Sequence, residues 1–446
     1  MSETAGRQAL PRVLARAEHT LSRAAMSPNA LKVLYRLHGA GFVAYLVGGA
    51  VRDLLLGRKP KDFDIGTNAR PQQVRQCFRN ARVIGRRFRL VLVRFSSEVV
   101  EVATFRRSPE PPEIEEGETV DVLAPTPEAD EYGTPEEDAW RRDFTVNGLF
   151  YNIADFSVID HVGGIEDLEA GIIRTIGQPH LRFAEDPVRM MRAVEYGARL
   201  RFRLDEELEE AVSSMHPEIR RAAPARIAYE LLESLKGGCA LPVFRGLDRS
   251  SLLGHIVPEA HDAAAHGDGA LLWSLLAAAD ERHRRNEPLA EETLLGLLFL
   301  PRFLAALQAA GERAPAAGEI ERLAKEQIEP AMLRLSLSHF RGHILRAGFL
   351  LLTRLLAPPR SGKQVMRTVR HEAFATAWQL MGLLAGVDGS FRAALASWEH
   401  PVANARAGQL PAVEEVKAHG EEASRRRRRG RRGGRRRGRR KEAGGA

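Results

Sequence analysis

The stretch that most restricts the fold is VAYLVGGAVRDLLLGRKPKDFDIGTN, residues 43 to 68. A short apolar strand (43 to 47) runs into Gly48-Gly49, AVRDLLL makes a brief helix closed by Gly57, and KDFDI opens a second strand. Two strands with a helix between them must join a sheet, with the helix packed over it. Within KDFDI, alternation sends Asp62 and Asp64 to one face and Phe63 to the other. Adjacent like charges repel, and a core strand gains nothing from them. A metal ion held between them is one explanation; a solvated charged face is the plainer one.

Neighbouring patterns extend the sheet. Ser27-Pro28 reads as an N-cap and first turn, and the helix that follows offers Leu31, Leu34, Tyr35 and His38 as its apolar face, ending at Gly39 or Gly41. PQQVRQCF predicts a helix, while VLVRF (91 to 95) and EVVEVATF (98 to 105) predict strands. Mixed elements up to about residue 150 describe a compact α+β unit. Ser108 to Asp138 holds twelve acids, no base and several prolines, so a loop is expected there. From about Leu181 onward, Leu/Ala/Arg helices take over without a repeat of fixed period.

Charge is unevenly placed. Residues 425 to 446 carry twelve arginines, Lys441 and Glu442, which is +12 of a total of +8; the other 424 residues therefore carry −4. The tail SRRRRRGRRGGRRRGRRKEAGGA has no residue large and apolar enough for a core and is expected to be disordered. Arg/Gly runs without aromatics suit sequence-blind contact with the phosphates of RNA or DNA, so Arg425, Arg426, Arg427, Arg428, Arg429, Arg431 and Arg432 are candidate RNA-binding residues; a solubilising terminus or contact with an acidic surface is the plainer reading. Only Cys77 and Cys239 occur, with no CxxC and no Cys/His cluster, which argues against zinc and fits a reducing compartment. MSETAGRQAL lacks the basic and apolar regions of a signal peptide, and no uninterrupted apolar run nears the ~18 residues of a membrane helix. A cytoplasmic protein is expected.

The chemistry concentrates in LVGGAVRDLLLGRKPKDFD. Bare backbone at Gly48 and Gly49 lets N–H groups approach a phosphate, and Arg52 on the first helical turn suits a triphosphate oxygen. With Asp62 and Asp64 next, the order of parts is that of Mg²⁺-assisted phosphoryl transfer. The competing reading has glycines that serve only the bend and an Arg52 that pairs with Asp53.

This unit resembles the signature of class II nucleotidyltransferases, the tRNA nucleotidyltransferase and poly(A) polymerase family of the polymerase-beta-like superfamily. The resemblance continues through RRDFTVNGLFYN (141 to 152), DHVGGIEDLEAGIIRTIG (160 to 177) and EDPVRMMRAVEYGARL (185 to 200). It implies a polymerase-beta-like head with a small mixed sheet, then a mostly helical region. It further implies that Asp62 and Asp64 bind two Mg²⁺ ions (Mn²⁺ as a substitute), and that Gly48, Gly49, Arg52 and Arg142 hold the phosphates of ATP. Asp143 matches a position counted among the catalytic acids; Glu101 is the other candidate for a third carboxylate. In EDPVRMMR, Asp186 before Pro187 is an N-cap signal, and Asp186, Arg189 and Arg192 share a face. The resemblance makes these the readers of the base edge: for adenine, Asp186 accepts from the amino group and Arg189 donates to a ring nitrogen.

VIGRRFRL (83 to 90) is similar to a stretch of the poly(A)-adding branch, with Leu92 where that branch usually has histidine; Arg86, Arg87 and Arg89 would line a nucleotide or RNA channel. The resemblance thus implies template-independent transfer of AMP from ATP to RNA 3′-ends with release of diphosphate, in mRNA polyadenylation and RNA decay. The alternatives are a CCA-, CC- or A-adding tRNA nucleotidyltransferase and a non-catalytic RNA-binding or annealing protein. The expected partners are mRNA, decay intermediates or tRNA, without DNA specificity. The expected domains are a flexible N-terminus (1–25), a catalytic head (26–180) with an acidic loop (108–138), a base-reading neck (181–245), an RNA-binding helical body (246–415) and the arginine tail (416–446).

Overall fold

The computed structural model describes residues 11–85, 89–107, 132–267, 269–311 and 316–409. Arg86, Arg87, most of the acidic run and the whole arginine tail lie outside the described residues.

Eight strands form one sheet: β1 (Arg12–Leu14), β2 (Ala44–Val47), β3 (Asp64–Thr67), β4 (Ala81–Ile84), β5 (Leu90–Arg94), β6 (Val99–Thr104), β7 (Leu149–Asn152) and β8 (Val158–Asp160). Their order is β1-β8-β7-β2-β3-β6-β5-β4, antiparallel everywhere except the parallel pair β3–β6. The helices α1 (Pro28–Gly39), α2 (Gly49–Leu55), α3 (Pro71–Cys77), α4 (Pro135–Trp140) and α5 (Gly164–Ala170) belong to this α+β head, and α6 (Pro179–Glu185) follows it. A two-stranded parallel ladder, β9 (Ile172–Ile173) with β10 (Arg203–Leu204), flanks α7 (Val188–Leu200).

Among the described residues beyond Leu204 every element is helical: α8 (Glu206–Met215), α9 (Pro224–Lys236), α10 (Ala240–Arg249), α11 (Leu252–Ile256), α12 (Pro258–Ala265), α13 (Gly269–Arg284) and α14 (Glu291–Ala309). Then come α15 (Ala317–Arg334), α16 (His339–Leu355), α17 (Gly362–Val369), α18 (Phe374–Val387) and α19 (Arg392–Arg406). One apolar core runs from Val33 and Leu46 in the head through Phe244 and Leu298 to Trp398. By length and composition α14 could cross a membrane, but its apolar side chains, from Leu294 to Leu304, are spent on this core.

Four expectations change. The second strand starts at Asp64, not Lys61, because its partner β2 ends opposite it at Val47 and then turns away through Gly48 (φ +70°). Residues 61–63 thus have no ladder to join. Residues 11–25, expected to be flexible, include β1, which pairs Leu14 with Val158. The buried face of α1 is Ala30, Val33, Leu34 and Leu37; Tyr35 stays 43% exposed and takes a hydrogen bond from Arg23 instead. The end of the acidic run is helical. Thr134 caps α4 by accepting from the Glu137 amide, and Glu137 bonds back to the Thr134 amide.

Candidate active site

Sheet register assembles the site. Val47, the last residue of β2, lies opposite both Asp64 on β3 and Phe150 on β7. The glycine turn, the start of β3 and the loop before β7 therefore meet at one end of the sheet, against α7 and α9. They enclose a cleft of about 460 Å³. Its walls include Gly48, Gly49, Arg52, Asp62, Asp64, Arg142, Asp143, Asp186, Arg189 and Arg192, so ten sequence-predicted residues converge.

The carboxylates form a repelling group. Asp64 sits beside Glu101 across the parallel ladder, and Asp62 reaches it from the preceding loop rather than from the strand. Burial, then Glu101 and Asp62, push the Asp64 carboxyl up to about 6, against the pull of Arg142. Asp64 is nonetheless open to water in the cleft, which weakens the burial and the charge contributions alike and leaves the upward direction. Burial and Asp62 also raise the Glu101 carboxyl.

Asp143 behaves differently. It accepts from Arg192 at 2.9 and 2.7 Å, from Asn147 at 3.0 Å and from the Phe144 amide at 2.8 Å. Burial would raise its pKa, but Arg192 and these bonds hold it below the usual carboxylate range. Asp143 thus lines the cleft with its charge balanced by Arg192, whereas Glu101 adjoins Asp64 across the ladder. Arg192 also reaches Glu230 on α9 at 3.4 Å.

The plain reading of Arg52 holds in part. Only 2% exposed, it donates to Asp53 at 2.8 Å and to Asn147, and lies 5.2 Å from the Tyr196 ring. Gly48 is required: a Cβ there would come within 2.8 Å of Arg142 Nη1, in a left-handed backbone. Arg142 itself donates to Asp138 at 2.9 Å, which gives the end of the acidic run a structural duty.

Asp186 accepts from the Val188 amide at 3.3 Å, a weak cap, but its main partner is Arg226 of α9, a two-pronged pair at 2.9 and 2.8 Å. Arg189 donates to Glu185 at 3.1 Å. Sequence reasoning missed Arg226, Tyr196, Glu230 and Glu233. Tyr196 was findable at four residues past Arg192 on the same helical face; the α9 residues had no local signal. Arg89 is not brought to the cleft: register places Leu90 beside Ala103, toward the opposite end of the sheet from Asp64.

Two family matches fall on this architecture: "Poly A polymerase head domain" over residues 44–174 and "Probable RNA and SrmB- binding site of polymerase A" over residues 201–264. Poly(A) polymerase I of Salmonella typhi is 39% identical over 389 residues, 85% of this chain and 82% of the relative. A CCA-adding enzyme of Lactobacillus helveticus is 37% identical over 205 residues, 46% of this chain and 49% of its own. A solved tRNA-processing enzyme in apo form shares the fold with a TM-score of 0.54 at 20% identity, covering 84% of this chain and 91% of that one. Likeness to the CCA-adding enzyme covers less than half of this chain, whereas likeness to the Salmonella protein covers 85% of it, and on that ground this chain belongs to the poly(A) polymerase family.

Proposed function

We propose that this chain is a template-independent poly(A) polymerase that adds AMP from ATP to RNA 3′-ends and releases diphosphate. The observation that carries the reading is the convergence of a glycine turn, a carboxylate pair and an acid–arginine base reader in one cleft. The 3′-oxygen attacks the α-phosphorus, the bond to the diphosphate breaks, and the hydroxyl proton passes to water.

Bare backbone at Gly48 and Gly49 admits the triphosphate, and Arg142 and Arg52 border it. Asp186, oriented by Arg226, accepts from the adenine amino group, and Arg189 donates to a ring nitrogen. Asp143 and Arg192 lock α7 to the head so that these readers face the phosphates.

Among the described residues no set of three or more His, Cys, Asp or Glu gathers at metal distance. Two hard carboxylates that repel one another, with the remaining positions left to phosphate and water, suit Mg²⁺, and Mn²⁺ as a substitute. Asp62 and Asp64 would hold the ions, with Glu101 beside them. When bound, the ions supply a more acidic 3′-hydroxyl and charge neutralisation of the triphosphate.

The reading extends to a catalytic head at 26–180, a neck at 181–245, an RNA-binding body at 246–415 and a cytoplasmic setting in contact with mRNA and decay intermediates. The test offers each nucleotide separately, on unstructured RNA and on tRNA lacking its end. Long tails from ATP alone are expected on either RNA. Growth that halts after three nucleotides on tRNA would instead indicate the CCA-adding activity named for the relatives that match over about half of this chain.

A further inference from the structure

Between Pro330 and His371 lie eight arginines and lysines and no Asp or Glu. This contrasts with a chain that is net negative once residues 425–446 are set aside. Three of the eight face acids: Arg334 meets Glu259, Arg341 meets Glu291, and Arg346 lies 3.9 Å from Glu329. Arg354, Lys363, Arg367 and Arg370 are exposed and have no acidic partner within 4 Å among the described residues.

Their placement is regular. On α17, Val365 and Thr368 are buried, while Lys363, Arg367 and Arg370 recur every three or four residues on the open face. They border a hollow floored by Met366, and His371 joins it to a second hollow that carries Arg346 and Arg354 beside Leu350, with Glu321 of α15 as its one acid and His343, paired with Glu372, at its edge. The result is a trough in which five cations outnumber the single acid Glu321, with apolar patches in its floor, formed by α15, α16, α17 and the turn after them. None of these residues touches the cleft.

We infer that this trough binds the phosphate backbone of single-stranded RNA upstream of the end being extended. Phosphates suit unpaired guanidiniums, and the Met366 and Leu350 patches suit ribose and base edges. A concave trough accommodates a strand passing through it, whereas a flat anionic bilayer favours a convex face. The inference rests on the RNA-extending reading of the cleft and adds a second contact outside it.

The test replaces Arg354, Lys363, Arg367 and Arg370 together with Gln in the full chain. Extension from ATP is followed on RNA of about six and about forty nucleotides. On the long RNA, KM rises at least ~10-fold and the log–log salt slope flattens by ~3, about 0.7 per released phosphate. On the short RNA, KM for RNA and for ATP is unchanged. A companion variant with the three arginines changed to Lys keeps the charge and should match the parent. Equal loss on both RNAs, no loss on either, or failure of the Lys variant overturns the inference. So does a Gln variant that binds long RNA normally but loses anionic vesicles or an acidic protein. A parent that extends neither RNA defeats the cleft reading instead, and filter binding of the long RNA then still judges the trough.

Discussion

Asp143, in the loop before β7, and Arg192, on α7, are joined by bonds of 2.9 and 2.7 Å, which fasten the sheet to the helix that carries Arg189. The Asp143 side chain is only 11% exposed, so removing its partner leaves a buried charge. Arg192→Ala should lower stability by about 3 kcal/mol in denaturant unfolding, and Asp143→Asn in the same chain should restore part of it. The sign with pH follows from a depressed carboxyl. This stability is present above pH ~4, the unfolded value, and is lost as pH falls through the lower folded value. If Asp143→Asn alone leaves the acid side of the stability profile unchanged, the pair is not what holds the two elements.

Asp64 titrates the other way. With its carboxyl raised from 3.8 to about 6, ionisation is less favourable folded than unfolded. Metal-free stability should therefore decline as pH rises from about 4 to about 6, and Mg²⁺ should reverse the decline. The Mg²⁺ concentration for half-maximal AMP incorporation should rise roughly fivefold from pH 6 to pH 5 and level off above about 7.5. Glu101→Gln removes one repelling neighbour and should move the break to lower pH. A break that stays where it was would dissociate Glu101 from the carboxylate group.

How far could this be seen from the chain alone? Features written in consecutive residues were legible: the Ser27 cap, the Gly48-Gly49 turn and the acid–arginine face of EDPVRMMR. What failed depended on pairing between distant segments. β3 begins at Asp64 because β2 stops at Val47, and β1 exists because Val158 lies alongside Leu14. The α1 face slipped by one position because Tyr35 looks apolar, yet its hydroxyl has a partner in Arg23. Arg226, Glu230 and Glu233 reach the cleft only through the packing of α9 on α7, and no local pattern encodes that.

Arg226 is the consequential omission. Its two-pronged bond fixes the direction of the Asp186 oxygens, which on the proposed reading the adenine amino group meets. Arg226→Ala should leave the fold intact, since the guanidinium is 54% exposed, but reduce the preference for ATP over the other nucleotides by ~10-fold, about 1.4 kcal/mol. Competition between nucleotides at fixed RNA measures it. A uniform fall for all four nucleotides would assign Arg226 to folding or RNA contact.

Gly48 and Gly49 separate a conformational demand from mere proximity. Gly48→Ala puts a methyl 2.8 Å from Arg142 in a left-handed backbone, while at Gly49 the nearest atom is 3.3 Å away, on the Arg52 side chain. ATP affinity should fall at least ~10-fold for Gly48→Ala and clearly less for Gly49→Ala, with both chains still folded by circular dichroism. Equal effects would mean that space, not backbone conformation, governs the turn.

On the proposed reading, the arginine tail acts by charge alone. Residues 425 to 446 carry +12, while every residue bordering the ATP cleft lies between Gly48 and Glu233. Deleting the tail should weaken binding of any RNA, short or long, because sequence-blind attraction between its arginines and phosphates does not depend on strand length. The log–log salt slope should flatten by roughly 0.7 for each phosphate released, with ATP binding unchanged. The α17 trough predicts a different dependence, since a fixed site needs RNA long enough to reach it. Tail deletion and the four-Gln variant should therefore add on long RNA, while on short RNA only the deletion is felt. A deletion that leaves the salt slope untouched would show that the arm makes no contact with the substrate strand.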